Sequence, residues 1–106
     1  MYYIYMLRCR DGSFYTGIAA DIEKRLRQHA SGGAACAKYT RAHPPEAVAA
    51  LWRCGDKSAA ARLEYAIKAK LTHGEKLALI AEPERVAAWF PALAGAFTPA
   101  EIPSLG

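Results

Sequence analysis

The opening run Tyr2-Tyr3-Ile4-Tyr5-Met6-Leu7-Arg8-Cys9 constrains the fold more than any other part of the chain. Aromatic and β-branched side chains over such a stretch predict a strand. Arg10-Asp11-Gly12-Ser13 follows, with Asp-Gly as a hairpin hinge, and Phe14-Tyr15-Thr16-Gly17-Ile18 returns as a second strand. An antiparallel hairpin therefore starts the domain. The chain has 106 residues, 53% hydrophobic and 23% charged, which fits one packed domain and argues against disorder. Its longest uninterrupted apolar runs, 1–7 and 47–52, are far short of the roughly 20 residues a membrane helix needs. With no basic start and no apolar stretch of signal-peptide length, a soluble, cytoplasmic protein without membrane contact is expected.

Downstream of the hairpin the pattern changes to helical spacing. Asp21 is a good N-cap, and Ile22, Leu26 and Ala30 mark one apolar face until Ser31-Gly32-Gly33 stops the helix. Residues 31–45 read as a long Gly-rich loop closed by Pro44-Pro45, and 46–54 as a third strand. Asp56 or Ser58 caps a second helix with Leu63, Ile67 and Leu71 on its apolar face. Thr72-His73-Gly74-Glu75 is a capping-box pattern opening a short helix through Ile80, and a last short helix is expected over 83–90. The order β-β-α-β-α-α predicts an α+β domain, a small three-stranded, mainly antiparallel sheet flanked by helices. Residues 1–82 form the main unit, and 83–106 a C-terminal helix and tail.

Charge is unevenly spread. Residues 1–80 carry 13 Lys/Arg against 7 Asp/Glu, while 81–106 carry only Arg85 against Glu82, Glu84 and Glu101, for a total of +4. A basic body suits an anionic partner such as nucleic acid, and equally a solvated basic surface. Cys9, Cys36 and Cys54 are far apart, with no Cys-x-x-Cys pair and no zinc-ligand spacing. Cys9 and Cys54 fall at strand ends and read as small buried hydrophobes.

Alternation in a strand puts Tyr3 and Tyr5 on one face, and Tyr15 and Gly17 on one face of the second strand. Gly17 leaves a gap beside Tyr15 that a backbone or a ligand could enter; cross-strand aromatic packing around a bulge glycine is the plainer account. Arg25 and His29 lie four apart on one flank of the first helix, where a guanidinium can grip phosphate oxygens in a fork. Taken singly, each is more commonly a solvated or packed side chain. Among the acids, Asp11, Asp21, Glu23, Glu46, Asp56, Glu75 and Glu84 all occupy turns, caps, first helical turns or a strand start. Glu64 alone lies mid-helix at the edge of the apolar stripe, where a carboxylate needs a cation, an arginine or a metal. Lys68, four residues on, is the structural candidate for that partner.

Together these residues resemble the GIY-YIG nuclease superfamily, in particular its small stand-alone bacterial members of the UvrC/homing-endonuclease type. The likeness is carried by Tyr3-Ile4-Tyr5, Tyr5-x-Leu7-x-Cys9-x-Asp11-Gly12, Tyr15-x-Gly17-Ile18, Asp21, Arg25-Leu26, His29, Lys38-Tyr39-Thr40-Arg41 and Arg62-x-Glu64-x-x-Ile67-Lys68. It spans about residues 2–80. What it implies is metal-dependent hydrolysis of a DNA phosphodiester, leaving a 5′-phosphate and a 3′-hydroxyl, in repair, recombination or processing. One divalent cation, Mg²⁺ or Mn²⁺, would be held by Glu64 and would stabilise the leaving 3′ oxygen, with no other cofactor. Tyr5 or Tyr15 would help deprotonate the attacking water, Arg25 would hold the scissile phosphate, and His29 would assist proton transfer. Gly17, Lys38, Tyr39, Thr40, Arg41 and Lys68 would bind substrate, with a base stacked on Tyr39.

Three departures stand out, one being that the second motif of the family name reads Tyr15-Thr16-Gly17. Tyr3 replaces the first glycine of the family name, and the chain has no asparagine to take the C-terminal role many relatives give that residue. The alternatives to a nuclease are a non-catalytic nucleic-acid-binding module of the same fold and a protein-interaction domain. One domain of this size buries roughly 600–1,000 Å² on DNA, which suits structure-selective or weakly specific action on single-stranded, flapped or damaged forms.

Overall fold

The computed structural model describes residues 1–32 and 37–105. The hairpin forms as expected. β1 (Tyr2–Cys9) and β2 (Phe14–Ala19) pair antiparallel with Tyr5 opposite Gly17 and Leu7 opposite Tyr15. Gly12 sits in the turn at φ 85°, a conformation costly for other residues. β3 (Pro45–Cys54) pairs antiparallel with the other edge of β1, and the two-residue β4 (Thr98–Pro99) pairs with β3. The sheet therefore has four antiparallel strands in the order β2-β1-β3-β4, one more than the sequence predicted. β4 is two residues long, too short to show any alternation.

β1 is an interior strand with both faces covered, and Ile4, Tyr5, Met6 and Leu7 are all buried. This explains why its sequence is a continuous apolar run. One face (Ile4, Met6, Ala50, Trp52) packs on α3 (Lys57–Lys70), α4 (His73–Ala81) and α5 (Arg85–Trp89), through Leu63, Ile67, Leu79 and Val86. The other face (Tyr5, Leu7, Val48, Leu51) packs on Leu26 of α1 (Ile22–Ser31) and on Ala100 and Leu105 of the tail. The tail 98–105 thus lies on the sheet, and the Trp52 indole donates to the Pro83 carbonyl at 3.0 Å.

The caps follow the sequence. The Asp21 carboxylate accepts from the Lys24 amide, Asp56 from those of Ser58 and Ala59, and Thr72 and Glu75 complete a reciprocal capping box. Cys9 and Cys54 are buried and free, while Cys36 lies outside the described residues. The expected loop 31–45 is corrected in part: Lys38–Ala42 forms a short helix, α2. The last helix is shorter than expected, Arg85–Trp89, followed by a 3₁₀ turn at Pro91–Leu93. No helix among the described residues is long and apolar enough to cross a membrane.

Candidate active site

The candidate residues gather around β2, the outer strand on the hairpin side of the sheet. Cross-strand pairing places the Tyr5 ring directly over Gly17: a Cβ at Gly17 would lie 2.5 Å from the Tyr5 oxygen, 2.6 Å from Tyr5 Cζ and 3.0 Å from Tyr15 Cε2. The gap at Gly17 is therefore filled by the chain's own phenol, and Gly17 is buried rather than open to substrate. No bulge lies there either. The β1–β2 ladder is regular, and the irregularities fall between β1 and β3, after Met6 and after Arg8.

The Tyr5 hydroxyl lies 2.8 Å from His29 Nε2, and His29 Nδ1 lies 2.8 Å from the Thr40 hydroxyl oxygen. The Thr40 hydroxyl itself donates to the Ala37 carbonyl at 3.1 Å. Its single proton being committed there, Thr40 accepts from Nδ1–H, so Nε2 carries the lone pair and the Tyr5 hydroxyl donates to it. Burial, reinforced by the positive charge of Arg25, pushes the His29 pKa down to about 4, so the ring is neutral at pH 7. Burial, then the neighbouring Tyr15, pushes the Tyr5 phenol well above its usual 10; a hydrogen bond from Arg25 opposes this and does not win. A resting Tyr5 phenolate is thus disfavoured.

Arg25 is tied into the same group. Burial works against its charge, but hydrogen bonds to Tyr5 and Tyr15 outweigh that and raise its pKa, and Nη1 donates to Gln28 Oε1 at 2.8 Å. Tyr15 is half-buried, with ring centroids 6.2 Å from Tyr5, 5.2 Å from His29 and 5.8 Å from Tyr39. Lys68 Nζ sits 5.4 Å from the centre of the Tyr15 ring and 3.6 Å from Glu64 Oε2. The i,i+4 partnership expected of Lys68 and Glu64 is present, although loose. Beside them a shallow groove of about 270 Å³ is lined by Phe14, Tyr15, Thr16, Tyr39, Lys68 and Lys76.

The segment Lys38-Tyr39-Thr40-Arg41 divides between two roles. Lys38 and Arg41 are exposed, and Tyr39, 36% exposed, stacks on Tyr15 and on His43 at 4.3 Å. His43 Nδ1 in turn meets Asp11 Oδ2 at 2.6 Å, which anchors α2 to the hairpin turn. Thr40, expected to face substrate, is 1% exposed and holds His29 instead. Lys76 was missed by the sequence reading: it lies in the second turn of α4, with no spacing relation to the hairpin that would have pointed to the groove.

Among the described residues no three His, Cys, Asp or Glu side chains converge on one point. A hard cation needs less than that. Mg²⁺ commonly takes one or two carboxylates, keeps several waters and completes its shell with substrate phosphate. Glu64 fits that pattern, with its side chain 24% exposed at the site's edge and, among the described residues, paired with the loosely held Lys68 alone.

These elements define a class: a small α+β domain in which two hairpin tyrosines, an arginine–histidine pair and a lone glutamate ring one sheet edge. The chain belongs to the GIY-YIG family, a family of nucleases, whose catalytic domain matches residues 1–77. It is 45% identical over 67 residues to the UPF0213 protein BH0048 of Halalkalibacterium halodurans, covering 63% of this chain and 69% of that one. To the UPF0213 protein FN1575 of Fusobacterium nucleatum it is 43% identical, over 78% and 80% of the two chains. To the UPF0213 protein XAC3202 of Xanthomonas axonopodis pv. citri it is 42% identical, over 80% and 81%. The solution NMR structure of BH0048 aligns with a TM-score of 0.49 at 41% identity, covering 76% of this chain and 84% of that one.

Proposed function

We propose that the chain is a divalent-metal-dependent nuclease that hydrolyses phosphodiester bonds in DNA at the Tyr5–Tyr15–Arg25–His29–Glu64 cluster. The observation that carries this reading is the hydrogen-bonded series from Tyr5 through His29 to Thr40, with Arg25 joined to both tyrosines. Packing alone does not require a buried neutral histidine aimed at a phenol beside a guanidinium.

In this mechanism the scissile phosphate lies along the groove at β2, where Lys68 and Lys76 supply positive charge and Arg25 adds its own through its contact with Tyr15. A cation bound to Glu64 would supply Lewis-acid stabilisation of the charge developing on phosphate and leaving oxygen. Tyr15, at the groove wall, orients the attacking water. Tyr5 passes its own proton to His29 Nε2 while receiving one from the water, so no free phenolate accumulates and the burial that disfavours it is never opposed. His29 becomes an imidazolium for the lifetime of the step. With a pKa of about 4, charging it at pH 7 costs about 4 kcal/mol. Thr40, fixed by Ala37, keeps the histidine in the tautomer that can accept the proton. Arg25, in contact with both phenols, is the group best placed to stabilise the transition-state charge.

Structure-selective or weakly sequence-specific cleavage suits a domain this small. The test is cleavage of end-labelled single-stranded, flapped and duplex DNA with Mg²⁺ or Mn²⁺, followed by analysis of the product ends. Cleavage abolished by EDTA, leaving 5′-phosphate and 3′-hydroxyl ends, is expected. Salt-sensitive binding without cleavage under any metal would replace the proposal with a non-catalytic binding module.

A further inference from the structure

On the far flank of α3 from Glu64, a larger groove of about 560 Å³ opens between α3 and the α5–3₁₀ segment. Its walls carry two exposed aromatic rings, Tyr65 at 64% and Trp89 at 36%. Its rim carries Arg62 and Lys70, and no acidic residue lines it. Neither Arg62 nor Lys70 forms an ion pair among the described residues, whereas Lys68 and Arg85 nearby both do. The C-terminal wall, Trp89 to Leu93, lies beyond the residues that match the family's catalytic domain.

From this geometry we propose that the groove is a second contact for single-stranded nucleic acid, with bases stacked against Tyr65 and Trp89 and phosphates held by Arg62 and Lys70. The inference deepens the nuclease reading and rests on it for the choice of ligand. Exposed rings beside unpaired cations are what a sequence-tolerant single-strand site needs: a π-face for any base and a charge for each phosphate. The groove volume falls in the range of about 300–1,000 Å³ typical of ligand sites. Charge complementarity selects a polyanion, because Arg62 and Lys70 are the charged residues of the lining and no acid accompanies them. Position also favours a shared strand, because Glu64 and Tyr65 are neighbours on α3 and the two sites lie on the order of a helix diameter, ~10 Å, apart. Residues 83–106 would then extend the substrate track beyond a catalytic unit at 1–82.

The experiment is titration of the full chain with an oligo-dT strand in EDTA, which reads binding without turnover, followed by Trp emission. Trp52 is fully buried and Trp89 is not, so quenching reports the groove and disappears in Trp89→Phe. Trp89→Ala weakens single-strand affinity at least fivefold. Arg62→Ala/Lys70→Ala lowers the slope of log affinity against log salt by about 1.4, the value for two phosphate contacts on a single strand. Affinity for a blunt duplex is unchanged in both. Circular dichroism confirms the fold, since all three positions lie at the helix surface. Unquenched Trp89 with unaltered affinity and slope overturns the proposal. Trp89 emission that follows protein concentration without DNA, with a doubled sedimentation mass, overturns it in favour of self-association. Because no cleavage is measured, loss of the nuclease reading in the presence of metal is a separate result.

Discussion

Gly17→Ala tests the packing on which the site depends. A Cβ there would sit 2.6 Å from Tyr5 Cζ and 2.5 Å from its oxygen, where carbon contacts prefer about 3.5–4.0 Å. The ring must retreat by about 1 Å. It cannot do so freely, since it is buried between β2 and α1 and hydrogen-bonded to His29. Overpacking of this kind costs about 1–3 kcal/mol, and the lost bond to a buried nitrogen adds about 1 kcal/mol. Together, about 2–4 kcal/mol lowers Tm by about 10–25 °C in a domain of this size. Displacing Tyr5 by about 1 Å should also reduce cleavage about 10²-fold. Urea denaturation and cleavage are measured for the single variant and for Gly17→Ala in a Tyr5→Leu background. Without the phenol the substitution should cost under about 1 kcal/mol, because Gly17 does not adopt a positive φ and alanine suits its backbone. An equal penalty in both backgrounds, or wild-type stability and cleavage in Gly17→Ala, would refute the argument.

Thr40→Val strands the buried Nδ1–H of His29, so stability should fall by about 1–3 kcal/mol by denaturant melts, and Thr40→Ser should restore most of both stability and rate. Arg25→Lys keeps the charge and loses the fork; kcat is expected to drop about 10²-fold with a smaller change in KM, and equal kinetics would deny Arg25 its role. For His29 the sign follows from a folded-state pKa of about 4 below an unfolded value near 6.5: the unfolded chain binds more protons between them, so stability rises with pH across that window. Compared with His29→Gln, the wild type should therefore lose about 2–3 kcal/mol more between pH 7 and 4.5. A parallel pH dependence in both proteins would show that the ring is not held neutral by its surroundings.

Most of the fold was legible because its determinants are local. The hairpin needs only the apolar run of β1 and Asp11-Gly12, and the three main helices carry their capping residues Asp21, Asp56 and Thr72 in sequence. α2 was hidden because five residues between Gly-rich and Pro-rich stretches show no helical period. β4 exists only through pairing with β3. In the site, residue types pointed to Tyr5, Tyr15, Arg25, His29 and Glu64, but their relations depend on register and packing. Gly17 resembled an opening because the strand pattern gives its face and not its partner, and that partner is Tyr5. Thr40 resembled a surface hydroxyl because nothing local reveals that α2 turns it toward His29, 11 residues earlier.

The central claim is most directly tested by cleavage of labelled single-stranded and flapped DNA with Mg²⁺ or Mn²⁺, comparing wild type with Glu64→Ala. Glu64 is partly exposed on a helix where alanine is well tolerated, so the variant should fold. Metal-dependent cleavage by the wild type that disappears in Glu64→Ala is the predicted result. Cleavage that survives the substitution undiminished would contradict the account, placing the reaction away from the tyrosine–histidine cluster at β2.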